Sequence, residues 1–359
     1  MEDEKKIDGS EKLLTENAWR GPPEENNFVN IARELFEDDK ILQAGKILCE
    51  VPSDIIRGDK ELLSIANTFD KCESVVNELL SDPDTDDNAK KSEWKRQAVS
   101  TWWQSPKWGE STVKYKLDEQ TGTKLTALIS TPVDRSLLVP LLSVLNESEL
   151  YSTWMPNWSL PIRLQVRRSI KLQQTGRCSQ VVLVTIDMPF GMAPREVVLE
   201  AVAIDGIDGI SSKAAAPDNE EEKNGIIAVR LDGLHTGDKD GLVRSPIEEN
   251  TVRCDMKGGF LFRKCPRRHN GSSQDGCHEV LVSFIFSVDP KFTFVPKILM
   301  NFIIRTVIGM VWNKLLKVAE EVLNKKRPEH SLAIDKKRVQ LYDWIDSRVN
   351  VMLSKIPSN

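Results

Sequence analysis

Residues able to do chemistry are few, and three groupings need weighing. Asp82, Asp84, Asp86, Asn88 and Glu93 stand at positions 1, 3, 5, 7 and 12 of a calcium-loop pattern, the alternation of oxygen donors a hard cation needs. Asp87 replaces the glycine of the sharp turn, Ala89 stands where a bulky apolar residue belongs, and no second loop accompanies it. A solvated acidic linker over residues 83–93 is therefore expected rather than a cation site. Cys265-Pro-Arg-Arg-His269 followed by Cys277-His278 offers zinc ligands, but the spacing matches no common module and the segment reads as a Gly/Ser-rich hairpin turn. The four histidines, 235, 269, 278 and 330, lie far from apolar segments that could shape a pocket. No nucleophile elbow, phosphate-cradling loop, dinucleotide fingerprint or His-Glu-x-x-His is present. Binding is expected rather than catalysis: no enzyme, no cofactor and no metal.

The elements that would position a binding site centre on Val280 to Leu323. Val280-Leu-Val-Ser-Phe-Ile-Phe-Ser-Val288 alternates as a half-buried strand does. Asp289-Pro290 through Pro296 cannot continue it. A long helix is then expected to about Asn324. Its polar stripe is narrow, with Lys297, Asn301, Arg305 and Asn313, while Met300, Ile303, Ile304, Val307, Met310 and Val311 lie opposite and Phe302, Ile308 and Trp312 widen the apolar arc. An arc wider than that of an ordinary surface helix demands burial or an apolar partner. Lys297 and Arg305 argue against a membrane span.

The string Val282-Ser-Phe-Ile-Phe-Ser-Val-Asp289-Pro290, with Val295-Pro296-Lys-Ile-Leu-Met-Asn301 after it, resembles the last strand, connection and C-terminal helix of START (StAR-related lipid-transfer) domains. Asp187-Met-Pro189 and Pro194-Arg195-Glu196-Val-Val resemble their central Pro-Arg-acidic strand start. Leu145-Asn-Glu-Ser-Glu-Leu150 and Trp154-Met-Pro-Asn-Trp158 resemble their helical insertion. The resemblance spans Trp94 to Lys326 and implies an α+β helix-grip (Bet v 1-like) fold, a curved antiparallel sheet around a long C-terminal helix. It further implies a cavity for one hydrophobic ligand, exchanged at membrane surfaces. Phe284, Phe286, Met300, Ile303, Ile304, Val307, Met310 and Val311 are the expected lining. Sterol-binding members carry a buried acid–Arg pair, with the Arg some six residues past the Pro-Arg pair. Ala201 stands there and Val181 to Val184 on the facing strand, so a phospholipid or other acyl lipid is favoured over sterol. The alternatives are a lipid sensor or scaffold that does not transfer, a cyclase/aromatase-like enzyme using the same cavity, and a calcium-dependent membrane adaptor.

Composition frames this reading. Hydrophobic content of 40% and charged content of 29% are ordinary for a globular chain of 359 residues. Residues 1–93 carry 24 acidic and 12 basic side chains, net −12, and the rest carry 30 and 37, net +7. A basic main part suits anionic headgroups, although mild positive charge is also common without meaning. Nucleic acid is not an expected partner. With no apolar N-terminal run and six scattered cysteines read as free thiols, a cytoplasmic protein, peripheral at membranes, is expected.

In chain order, residues 1–26 read as a flexible tail. Residues 27–82 read as three or four helices, either docking a protein partner through 27–81 or packing on the main domain. Within 94–326, Trp94, Trp102 and Trp103 have near-helical spacing. Strands are expected at 112–117, 124–130, 169–174, 180–187, 195–205, 225–231, 251–262 and 280–288, with a helix started by Pro132, in the order ββααββββββα. The long loop 206–225 reads as a mobile gate or a plain insertion. Residues 327–359 read as one amphipathic helix carrying Leu341, Ile345, Val349, Met352 and Ile356, with Lys336-Lys-Arg338 at its head. It would pack back on the domain or lie on a membrane.

Overall fold

A computed structural model describes residues 23–80, 94–98, 105–118, 124–158, 164–189, 191–208, 225–235, 241–265, 279–292 and 306–354. The calcium-like pattern at 82–93, Trp102 and Trp103, Cys277, residues 266–278, and Met300, Ile303, Ile304 and Ile356 lie outside the described residues.

Four helices open the chain: α1 (Pro23–Glu37), α2 (Ile41–Leu48), α3 (Ser53–Gly58) and α4 (Lys60–Leu80). In α4 the buried positions Leu62, Ile65, Phe69, Cys72, Val76 and Leu79 recur at three- and four-residue steps, so one stripe faces inward. Phe69, Cys72, Val76 and Leu79 of that stripe, with Ile41 and Leu42 of α2, pack on Val202, Ile204, Leu261 and Ile285 of the sheet, while Leu62 and Ile65 pack among α1 and α2. The helical region is thus built onto the main domain's outer face.

The sheet has eleven strands: β1 (Lys95–Ala98), β2 (Thr112–Leu117), β3 (Leu125–Val133), β4 (Asn157–Trp158), β5 (Leu164–Gln174), β6 (Gln180–Asp187), β7 (Arg195–Gly206), β8 (Ile226–Gly233), β9 (Val252–Arg253), β10 (Asp255–Lys264) and β11 (Val280–Asp289). Their order is β1-β2-β3-β11-β10-β8-β7-β6-β5-β4, antiparallel throughout except that β9 pairs parallel with β7. Two-residue alternation sorts the side chains. Phe260, Phe284 and Phe286 face one way, and Leu261 and Ile285 face the helices on the other side.

The remaining elements are α5 (Leu138–Asn146), the short α6 (Tyr151–Trp154), α7 (Ile308–Leu323), α8 (Pro328–Lys337) and α9 (Asp343–Ser354). α7 lies against the inner face with α5 beside it. The architecture is the α+β helix-grip arrangement, preceded by a helical region.

Several expectations are corrected. Trp94 leads into the edge strand β1, not a helix, and packs on the outer face with Lys116 over its ring at 5.2 Å. Pro132 ends a strand instead of starting a helix. β2 stops pairing opposite Ser130, so the imide sits where no ladder donor is needed. The helix begins after Asp134, whose side chain accepts from the Ser136 amide at 2.8 Å. The strand expected over 251–262 is two. β8 ends opposite Leu199, leaving the start of β7 open on that side, and β9 fills the gap along Arg195 and Glu196 before β10 joins β8.

The tail is two helices joined by a π-turn over Arg338–Tyr342, not one. Leu341, Ile345, Val349 and Met352 are buried in the main core. Asn313, expected on an outward polar stripe, is buried. No helix among the described residues is long and apolar enough to cross a membrane.

Candidate functional site

The concave side of the sheet and α7 line a partly open cavity of about 440 Å³. Val182 and Val184 of β6, Val197 and Leu199 of β7, and Val229 and Leu231 of β8 form one wall. Each pair is two residues apart, so strand periodicity alone aims both members inward. Phe260, Phe284 and Phe286 form the facing wall, with ring centroids 4.1 Å apart for Phe260–Phe284 and 5.1 Å for Phe284–Phe286. Trp312 of α7 stacks parallel to Phe260 and Phe284 at 6.4 Å. Four aromatic side chains thereby set a rigid, apolar floor.

Of the eight expected lining residues, Phe284, Phe286, Val307 and Val311 line the cavity. Met310 is half-buried and is not among the lining side chains. The helix is rotated relative to the expected face: Ile308, Trp312 and Leu315 also look into the cavity.

Polar groups in the wall are sparse. Among the described lining residues there is no carboxylate, no imidazole and no lysine; Arg195 is the one charged side chain. The Tyr151 hydroxyl is used, donating to the Leu145 carbonyl at 2.6 Å. Gln180 donates to the Asn146 carbonyl at 2.8 Å and accepts from Ser148. The Cys254 thiol is pushed up to about 11, chiefly by burial, so no thiolate is available at neutral pH. Among the described residues no group of side chains could hold a metal ion.

Arg195 starts β7 and is partly exposed; the sequence reading did not place it in the cavity wall. Its parity held the missing signal: Arg195, Val197, Leu199 and Ala201 alternate on one face, and all four line the cavity. Glu196, on the other face, is fully buried and accepts from Arg253 at 2.8 and 3.0 Å.

A smaller cavity of about 80 Å³ lies beneath α9, between Trp344 and Arg348 and the sheet. It shares Leu145, Gln180, Ala201 and Val229 with the larger one. Arg348 closes over it through paired hydrogen bonds to Asp205, and the Arg177 guanidinium lies 4.7 Å from the Trp344 ring centre.

No family model and no curated protein matches the chain. Among solved structures, human STARD10 is similar over 77% of this chain and 86% of its own, at 13% identity and a TM-score of 0.45. A STAR-related lipid transfer protein fragment from Xanthomonas axonopodis covers 64% of this chain and 99% of its own, at 17% identity and a TM-score of 0.39. Human StAR-related lipid transfer protein 5 covers 71% and 99%, at 11% identity and a TM-score of 0.36. The similarity is to STAR-related lipid-transfer structures.

Proposed function

We propose that the protein holds one acyl lipid in the larger cavity and exchanges it at membrane surfaces. The observation that carries this reading is a void of about 440 Å³ with an almost wholly apolar wall. Ligand sites run to roughly 300–1,000 Å³ and are mostly apolar with a few placed polar groups. Native interiors otherwise pack densely, so a hollow of this size costs stability unless something fills it. Burying half of an 18-carbon chain contributes about 7 kcal/mol before ordering costs. Moving that chain between the cavity and a bilayer exchanges one apolar surrounding for another, which suits transfer.

An acyl lipid is favoured over a sterol. Ala201 stands at the position where the resemblance places a sterol-binding arginine, and no carboxylate lines the described wall to pair with one. The lack of a carboxylate or imidazole there also supports carriage over catalysis.

Native mass spectrometry of the purified chain tests the reading: a co-purified lipid mass is expected, and a ligand-free protein that also takes nothing from vesicles would overturn it. A liposome-to-liposome transfer assay then separates carriage from sensing.

A further inference from the structure

Arg195 is the one charged side chain among the described residues of the cavity wall. Its neighbours on the outer face each hold a carboxylate: Arg167 holds Asp187, Arg168 holds Glu248, and Arg253 holds Glu196. Arg195 holds none among the described residues. Its Nε donates to the Pro290 carbonyl at 2.9 Å, a terminal nitrogen donates to the Ala193 carbonyl, and its guanidinium lies 4.7 Å from the centre of the Phe292 ring. These neutral partners orient the group without neutralising it, and Nη2 keeps its donors unused among the described residues. Arg195 is partly exposed, and a guanidinium that faces an apolar space with no counter-charge is a ready partner for an anion supplied by a ligand.

A second donor belongs to the wall of the same cavity. Trp154 is 3% exposed and lines the cavity, yet its indole N–H has no partner among the described residues. Pro156, two residues on, accepts from the Val166 amide, and Val166, Ile186 and Arg195 follow one another across β5, β6 and β7. The opposite end, at Gln180 and Leu145, adds no charged side chain to this cavity's wall, Arg348 of the adjoining smaller cavity is already paired with Asp205, and the Gln180 amide is engaged.

We propose that the cavity selects an anionic-headed acyl lipid, with its phosphate or carboxylate oxygens on Arg195, a further oxygen on the Trp154 indole N–H, and its chain running toward Gln180. This rests on the lipid-binding reading above and adds the ligand's charge and its direction. A planar guanidinium matches both oxyanions through paired hydrogen bonds, and the apolar surroundings strengthen them.

The test uses the full chain stripped of co-purified lipid. It is titrated with oleic acid and dioleoyl phosphatidic acid, and with their neutral counterparts oleyl alcohol and dioleoylglycerol. The unaltered chain is expected to prefer the anionic member of at least one pair by about tenfold or more, the scale of a charge-assisted hydrogen bond. Arg195→Gln is expected to erase that preference and leave the neutral probes unchanged, and Trp154→Phe to weaken the anionic probe less. Which pair shows the preference distinguishes a carboxylate from a phosphate. Equal affinities within both pairs, or anionic binding untouched by Arg195→Gln, would overturn the proposal. If Arg195→Gln fails to fold, the affinity ratios of the unaltered chain decide alone. Failure of every probe to bind instead overturns the lipid-binding reading itself.

Discussion

Trp312 donates its indole N–H to the Thr131 hydroxyl at 2.7 Å, and Thr131 lies 2.7 Å from the Ser111 hydroxyl. All three are buried, so the contact ties α7 to β3 where the helix also completes the aromatic floor. Trp312→Phe keeps most of the apolar surface and removes the bond; it should cost about 1–2 kcal/mol. Trp312→Ala also opens the cavity and should cost about 3–5 kcal/mol. Urea unfolding of the two variants gives both values, and a Trp312→Phe variant as stable as the unaltered chain would mean that the hydrogen bond contributes nothing.

Val307→Arg places a charge in the cavity wall at the residue just before α7, without touching the Trp312–Thr131 contact. Val307 is half-buried, so the longer side chain can carry its charge toward water. Far-ultraviolet circular dichroism should be preserved while lipid uptake is lost. Unchanged uptake would show that the ligand lies elsewhere.

Acid should loosen the tail. Glu147 is 4% exposed and accepts from the Tyr342 hydroxyl at 2.6 Å, from Lys337, and from Asn146 at 3.1 Å. Burial pushes its carboxyl up, but the bonds from Lys337 and Tyr342 and the charge of Lys337 outweigh burial and hold it below the ordinary 4.5. Its contribution is present above pH 4.5 and is lost as pH falls through the depressed value. His330 on α8 is fully buried, and neither ring nitrogen has a partner among the described residues. Burial first, then the charge of Arg327, depress it below 6.5, so its contribution begins to fall away as pH drops under 6.5. The melting temperature should therefore decline in two stages on acidification. His330→Leu should remove the earlier stage and Glu147→Gln the later one; curves parallel to that of the unaltered chain would refute the assignment.

The helical region is held by a close approach. A Cβ at Gly45 of α2 would lie 2.0 Å from Cγ and 2.6 Å from Cβ of Phe69 in α4. Alanine ordinarily favours a helix over glycine by about 1 kcal/mol. Here the clash reverses the sign, and Gly45→Ala should destabilise by about 1–3 kcal/mol. Thermal unfolding measures this, and faster limited proteolysis within α1–α4 should accompany it.

The arrangement of strands and helices was largely legible in the chain. Alternation over Val280–Val288 put Phe284 and Phe286 on one face, and three- and four-residue steps marked the inward stripe of α4. Both follow from fixed local geometry, so neighbouring residues suffice. Parity could also have placed Arg195 with Val197 and Leu199, a signal the sequence reading did not use. What the chain alone left open depended on distances between elements remote in sequence. The wide apolar arc of the C-terminal helix did not say which sector meets the cavity. Packing between the sheet and α5 turned Ile308, Trp312 and Leu315 inward and buried Asn313. Glu196 pairs with Arg253, 57 residues away, and that decided which arginine is left facing the cavity without a carboxylate. Whether the interior is hollow was decided only by the curvature of the whole sheet and the stand-off of α7, because no spacing of residues encodes the gap between two walls.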